Sequence, residues 1–361
     1  MKDRFKNTAM KYGIEKVGFT KITNMQYLEE MLKYKEINSF SCSFEKIDIA
    51  KRIDAKKTMG NCSTIISFLF PYGNGYNPVY KSEFGNISIT SYGIDYHKMV
   101  RDKLELVCRE IKKTVEFNYE ICVDTSPLVD RAVCYNSGLG FIGKNSMLIN
   151  EKYGSLCFLG YVLTDLNMDI EESRVGNKCG NCSKCIDSCP NSAIMDNSVI
   201  NSNRCISYLT QSKEYIPLEF REKMGSQIYG CDVCQVSCPH NKGILDNNIG
   251  LDYSQLNISL DEIFKLTKSQ FEKKYKYLAG SWRGLNIWKR NAIIVCANRK
   301  YNRFYDTIKD CVNLNNNMFK TYGAWALIKM DKINGKQYIF DKIKYEDMEI
   351  AKEYKKLLEV L

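Results

Sequence analysis

The 361-residue sequence contains no apolar run long enough to cross a bilayer. Its most apolar stretch, Ser63 to Phe70, is far shorter than the ~20 residues of a spanning helix. The N-terminal segment MKDRFKNTAM is polar and charged and has no apolar h-region, so export is not expected. Low-complexity tracts and long linkers are also missing, which excludes loosely tethered modules. The expectation is a soluble, cytoplasmic chain of packed domains with no membrane contact. Disorder is excluded as well, because 44% of the residues are apolar, the ordinary share for a chain that buries a core.

What the chain has in excess is cysteine and positive charge. Sixteen cysteines in a small secreted protein would be a disulfide framework. In a long chain without an export signal the thiols stay reduced, and metal ligation is the better reading. The formal net charge of +10 suits a polyanionic partner, although many proteins with such an excess bind none.

From Thr8 to about Thr164, short apolar runs (Val17 to Phe19, Ser63 to Phe70, Leu156 to Leu163) alternate with charged segments of helical period such as Tyr96 to Val115. That alternation predicts an α/β domain over residues 1–168. Between 169 and 249 the texture changes to cysteine, asparagine, serine and proline, as in a module organised by metal rather than by a hydrophobic core. Residues 250–361 turn helical and basic, with small and apolar residues at helical spacing in Ile287 to Arg299 and Gly323 to Met330. A repeat of helical pairs is possible there on the pattern alone.

Cys179, Cys182, Cys185 and Cys189, followed by Pro190, spell C-x2-C-x2-C-x3-C-P. In a bacterial ferredoxin this run gives three thiolates to one 4Fe-4S cluster and the fourth to its neighbour. Cys231, Cys234 and Cys238 with Pro239 repeat the last three positions, but Ile228 stands where the first cysteine belongs. Cys205, stranded between the two motifs, is the candidate for the missing ligand. The crossed rule then assigns Cys179, Cys182, Cys185 and Cys238 to one cluster, and Cys189, Cys205, Cys231 and Cys234 to the other. Short spacers let the chain curl around one cube with its amides toward the sulfurs. The alternative is a pair of structural zinc sites, since C-x2-C knuckles also bind zinc; the proline-terminated repeat is atypical for those. The remaining cysteines, including Cys62, Cys108, Cys122 and Cys296, stand in apolar surroundings and read as core fillers. Two clusters relay electrons but bind no organic substrate, so a second redox site is expected in the N-terminal domain.

There, CVDTSPLVDRAVCYNSGLGFIGKN (Cys122 to Asn145) places Asp124 at a strand end beside a glycine-rich turn through Gly138, Gly140 and Gly143. A carboxylate so placed can face a ligand or simply cap the following turn. Together with GIEKVGF, KRID before the strand ending in FPY, SYGIDYH, YGCDVCQVSCP and KRNAIIVCANR, in this order, the stretch resembles the epoxyqueuosine reductase family over most of the chain.

That resemblance implies an α/β (α+β) cobalamin-binding core similar to that of reductive dehalogenases, a ferredoxin-like insert with two 4Fe-4S clusters, and a C-terminal all-α, HEAT-like region. The implied reaction is reduction of epoxyqueuosine to queuosine in the anticodon loop of tRNA, with cobalamin recharged by the clusters from an unidentified low-potential electron donor. Asp124 matches the family's proton donor, a role that calls for a raised pKa. Arg52 in KRID, Ser88 before SYGIDYH, Lys144 and Asn145 in GLGFIGKN, and Cys231 with Asp232 are assigned by the resemblance to the cofactor's surroundings, Lys144 and Asn145 alternatively to RNA phosphate. His97 and His240 are the only histidines, and neither lies in a corrinoid Asp-x-His-x-x-Gly pattern, so a cobalamin without a protein histidine ligand is expected. Lys273, Lys274, Lys276, Arg283, Lys289, Arg290, Arg299, Lys300 and Arg303, interleaved with Tyr275, Tyr277, Trp282 and Trp288, form a basic aromatic stripe suited to RNA, or a solvated helix face. A monomer is expected. The rivals are a corrinoid reductive dehalogenase-like small-molecule reductase and a non-catalytic iron–sulfur or zinc protein that binds nucleic acid.

Overall fold

The computed structural model describes residues 1–22, 25–45, 48–73, 75–76, 81–171, 173–195, 198–246 and 254–361. The boundary expected between 249 and 250 lies outside the described residues. Nine strands are formed among them: β1 (Lys16–Lys21), β2 (Thr64–Pro71), β3 (Phe84–Ile87), β4 (Tyr119–Cys122), β5 (Phe141–Ile142), β6 (Leu148–Ile149), β7 (Cys157–Thr164), β8 (Gln227–Tyr229) and β9 (Asn257–Ser259). The chain divides into two units. One comprises Met1–Asn77, Gly93–Cys205 and Asp232–Leu251; the other comprises Pro78–Tyr92, Ile206–Cys231 and Asp252–Leu361.

The first unit is built on a sheet of order β1-β2-β7-β4, in which every neighbouring pair is antiparallel. Strand β2 reads TIISFLFP and is buried at every position but the last, because both faces of the sheet are covered. On one face lies the helix Tyr96–Lys112, whose Val100, Leu104, Val107, Cys108 and Ile111 follow the helical period and join Ile66, Phe68 and Val162 in one core. Gly160 on β7 permits this approach, since a Cβ there would stand 2.5 Å from Val100 Cγ1. The opposite face packs Leu28, Leu32 and Ile53 against Ile65, Tyr161 and Leu163. The cysteine-rich segment between Cys179 and Cys189 belongs to this unit and contributes no buried apolar core of comparable size.

The second unit pairs a small sheet, β8-β3-β9, with the helices Leu285–Arg299, Tyr305–Asn313, Lys332–Lys342 and Met348–Val360, each of which packs on a central helix, Asn317–Met330. Asn317–Met330 is buried almost all round, and Gly323 fits because a Cβ would meet Val312 Cγ2 at 2.5 Å. Arg290 is fully buried. Its guanidinium donates to the carbonyls of Leu209 (2.8 Å), Thr210 (3.3 Å) and Ser212 and to Asn291 Oδ1, so it closes the end of the short helix Ile206–Leu209. Arg290→Met is expected to strand these acceptors at about 1–3 kcal/mol each, seen as a large drop in thermal midpoint; an unchanged midpoint would contradict the clamp. Among the described residues no helix is long and apolar enough to cross a membrane.

Candidate active site

Strand β4 delivers the chain to a strained turn. Asp124 has φ +53°, and the N–H of Thr125 returns to the carbonyl of Val123, closing a three-residue turn around a non-glycine residue in the left-handed region. Such a conformation costs about 1–3 kcal/mol and persists only where its surroundings impose it. Here Asp130 does so, since the Asp124 N–H donates to its Oδ2 at 2.9 Å while the Tyr161 hydroxyl on β7 donates to its Oδ1 at 2.9 Å. The hydroxyls of Ser126 and Tyr161 are bonded to each other. Burial and the neighbouring Asp124 charge push the Asp130 carboxyl up to about 7, against the hydrogen bond from Tyr161.

The Asp124 side chain remains 63% exposed and meets His97. Asp95 caps the helix Tyr96–Lys112 by accepting the His97 N–H at 3.0 Å, and its Oδ1 also lies 2.7 Å from His97 Nδ1. The other ring nitrogen, Nε2, is 3.2 Å from Asp124 Oδ2. Desolvation alone would push the His97 pKa down, but hydrogen bonds to Asp124 and Asp95 outweigh it and raise it. The same contact with His97 lowers the Asp124 pKa, with Tyr96 and Arg131 assisting. The direction is opposite to the raised Asp124 pKa that a proton donor calls for, because the His97 contact outweighs desolvation of the carboxyl.

The signs set a pH window. The Asp124 share of the pair is complete above the ordinary carboxylate range and is lost on acidification through its depressed pKa. The His97 share is complete below ~6.5 and is lost as pH rises through its raised pKa. A histidine-ring titration by nuclear magnetic resonance should give His97 a midpoint above that of a free imidazole, falling in Asp124→Asn. A midpoint indifferent to that substitution would remove the pairing. The sequence offered His97 within SYGIDYH and as a histidine outside the corrinoid pattern, not as a partner of Asp124, and gave no role to Asp95, Asp130 or Tyr161; the Asp-x-His spacing of a helix cap was the available signal for the first.

An aromatic shelf adjoins the pair. Tyr96 stacks on His97 with centroids 4.0 Å apart and on Phe158 at 4.3 Å and 2°, and Phe158 meets Tyr72 at 4.3 Å. Tyr72 in turn feels the charges of Asp232 and Cys234. Tyr76 donates to Asp232 at 3.5 Å. The shelf thus runs within one unit from the second cysteine loop to Asp124.

The two cysteine runs fold alike. Each forms a single helical turn, Lys184–Asp187 and Val233–Val236, and the two turns pack together. The Cys185 thiol is raised by burial and by Cys238 and Cys179, and Cys238 by burial and by Cys179 and Cys182, so Cys238 of the second run lies close to the first run. Among the described residues no three His, Cys, Asp or Glu side chains are grouped to hold a single metal ion. Cys189 accepts the N–H of Ala193 at 3.3 Å. Cys205 follows a turn, Ser202–Arg204, tied down by Ser202 N–H to Phe40 O (2.8 Å), Asn203 Nδ2 to the carbonyls of Ser39 and Ser41, and Asn191 Nδ2 to Arg204 O (2.9 Å).

The other expected residues have definite places. Arg52 approaches Glu45 Oε2 at 3.4 Å, and Glu45 also holds Lys35 at 2.8 Å and the Ser202 hydroxyl at 2.7 Å. Lys144 donates to the carbonyls of Gly180 (2.8 Å) and Cys182 (2.9 Å). Buried Asn145 donates to Cys234 O at 3.2 Å. In the second unit, buried Ser88 donates its N–H to Tyr229 O and packs on Gly230, where a Cβ would stand 2.5 Å from its own; Gly230 precedes Cys231. The basic stripe is corrected in part. Trp288, Arg290 and Tyr275 are buried in the helical core, and Arg303 pairs with Glu83 at 3.0 Å. The exposed remainder is Lys273, Lys274, Lys276, Tyr277, Trp282, Arg299 and Lys300, with Lys274 paired to Glu262 at 2.5 Å and Trp282 stacked by Arg283.

Comparison with known proteins follows the same division. Residues 178–241 match the 4Fe-4S double cluster binding domain, and residues 52–125 match the family described as epoxyqueuosine reductase QueG, DUF1730. The class defined by fold and motifs is an iron–sulfur oxidoreductase. The epoxyqueuosine reductase of Lactococcus garvieae is 38% identical over 82% of this chain and 87% of its own length, and that of Staphylococcus aureus is 32% identical over 96% and 93%. The solved Streptococcus thermophilus epoxyqueuosine reductase superposes with a TM-score of 0.91 at 34% identity, covering 99% of this chain and 98% of that one. An epoxyqueuosine reductase crystallised with an epoxyqueuosine-modified tRNA-Tyr stem loop gives 0.92 at 30% identity, with 99% and 98% covered. This chain belongs to the epoxyqueuosine reductase family.

Proposed function

We propose that this chain reduces epoxyqueuosine to queuosine in the anticodon loop of tRNA, with cobalamin as the site of reduction and two 4Fe-4S clusters as its electron supply. The balanced reaction takes an epoxide, two electrons and two protons to an alkene and water. The observation that carries the reading is the His97–Asp124 pair at 3.2 Å: an imidazole hydrogen-bonded to a carboxylate exposed on an imposed turn could deliver the proton that an oxygen leaving carbon requires. Support for the substrate comes from the 30%-identical relative that was crystallised with a modified tRNA stem loop.

The residues present fit the cofactors. Tyr72, Phe158 and Tyr96 supply aromatic surface for a macrocycle, and Arg52, Asp124 and Asp232, with Ser88 and Cys231, are the residues that would hold it. When bound, cobalamin supplies a low-valent cobalt able to open an epoxide as nucleophile or electron donor. Around it, His97 would hold the proton, Asp124 would relay it from the imidazole to the leaving oxygen, and Asp95 fixes the imidazole. The sulfurs of Cys179, Cys182, Cys185 and Cys238 hold one cluster, and those of Cys189, Cys205, Cys231 and Cys234 the other. The regions 1–168, 169–249 and 250–361 then serve as cobalamin, cluster and tRNA-contacting parts, with electrons from a low-potential donor.

The test is an anaerobic assay with cobalamin, a low-potential reductant and epoxyqueuosine-containing tRNA, followed by nucleoside mass analysis. Loss of one oxygen is expected. No turnover in a preparation that holds iron, sulfide and cobalamin would overturn the reading.

A further inference from the structure

We infer that Lys144 sets the reduction potential of the cluster held by Cys179, Cys182, Cys185 and Cys238, as a positioning residue of that cluster's loop rather than a contact to cobalamin or RNA. The inference rests on the two-cluster reading above. Lys144 leaves a tight turn closed by Ser146 N–H to Gly143 O at 2.8 Å. Gly143 leaves room for Ile149 and Asn145, since a Cβ there would stand 2.5 Å from Ile149 Cδ1 and 2.9 Å from Asn145 Oδ1. The turn therefore aims its two polar side chains at fixed targets. Lys144 takes the carbonyls of Gly180 and Cys182, on the first cysteine loop. Asn145, the next residue, takes the carbonyl of Cys234, on the second.

Two consequences follow from elementary physics. In a planar trans peptide the carbonyl and the next N–H point in opposite directions, so drawing the Gly180 and Cys182 carbonyls onto Nζ turns the amides of Asn181 and Ser183 to the far side of the loop. Donors oriented in this way tune a thiolate-bound metal. The ammonium also spends these bonds on neutral carbonyls, whereas Lys178 of the same segment is paired with Glu151 at 3.6 Å. An uncompensated positive charge beside a cluster favours the reduced state, which carries one more negative charge. Lys184 and Asp187 on the same loop are exposed and of opposite sign. Asn145 brings no charge to the second loop, so the effect belongs to one cluster.

The experiment is an anaerobic redox titration of the two-cluster protein followed by electron paramagnetic resonance. In Lys144→Gln one cluster should become harder to reduce while the other keeps its potential, and Lys144→Arg, which keeps the charge, should restore the first. If Lys144→Gln instead loses about half of its iron and Lys144→Arg keeps it, Lys144 holds the loop together rather than setting its potential, and the assignment is overturned. Unchanged potentials in a fully loaded Lys144→Gln protein, or equal shifts in the Gln and Arg variants, would overturn the assignment. Wild-type protein with no 4Fe-4S signal would overturn the cluster reading itself, a distinct result.

Discussion

Asp124→Asn is expected to lower turnover of epoxyqueuosine-containing tRNA by about 10²–10⁴-fold, the usual contribution of a positioned acid, while cobalamin and tRNA still bind. The amide is close in size to the carboxyl but carries no acidic proton. It also keeps the turn, because asparagine tolerates positive φ better than most residues, so lost activity cannot be assigned to a collapsed loop. The N–H donated to Asp130 Oδ2 belongs to the backbone and survives the substitution. Single-turnover reactions followed by nucleoside mass analysis give the readout, and near-wild-type turnover would end the proton-donor assignment. The same variant should bring the His97 pKa down, because it removes one of the two carboxylates that raise it. Activity and ring titration thus test one pair from its two ends.

Cys205→Ala is expected to remove or convert one of the two clusters, leave the other spectrally intact, and reduce turnover to background. The fold should survive. The turn before Cys205 is held by Phe40, Ser39, Ser41, Asn191 and the Glu45 carboxylate, and none of these bonds uses the thiol. Iron and labile sulfide should therefore drop by about half at an unchanged circular dichroism spectrum. An unaltered resonance spectrum of the reduced protein would show that another group completes the second set. A variant at Cys179 should affect the opposite cluster, which makes the crossed assignment testable ligand by ligand.

The chemistry was legible wherever it is written in local spacing. Four cysteines within eleven residues and three more within eight can curl only around something small, whatever the rest of the chain does. Strand β2 was visible as a continuous apolar run, and the helix Tyr96–Lys112 as a helical period, because burial on both faces or on one face leaves those two signatures. The buried members of the stripe from Lys268 to Arg303, Arg290 above all, were misread for the converse reason. The helix Leu285–Arg299 is surrounded, so its sequence shows no clean polar face, and an arginine within it reads as surface until the carbonyls of Leu209, Thr210 and Ser212, some 80 residues earlier in the chain, are seen to meet it.

By itself the sequence determined that this protein carries two cysteine runs of cluster-binding spacing, because a metal cluster needs only thiols at fixed short intervals, and it carried enough motif order to resemble one family. Only the tertiary structure decided the direction of the Asp124 pKa shift, the partners of Lys144 and the burial of Arg290. Each depends on groups distant in sequence, such as an imidazole from one helix, carbonyls from one cysteine loop and the end of a short helix. Electrostatic and desolvation energies are set by distance in space, which no spacing along the chain reports.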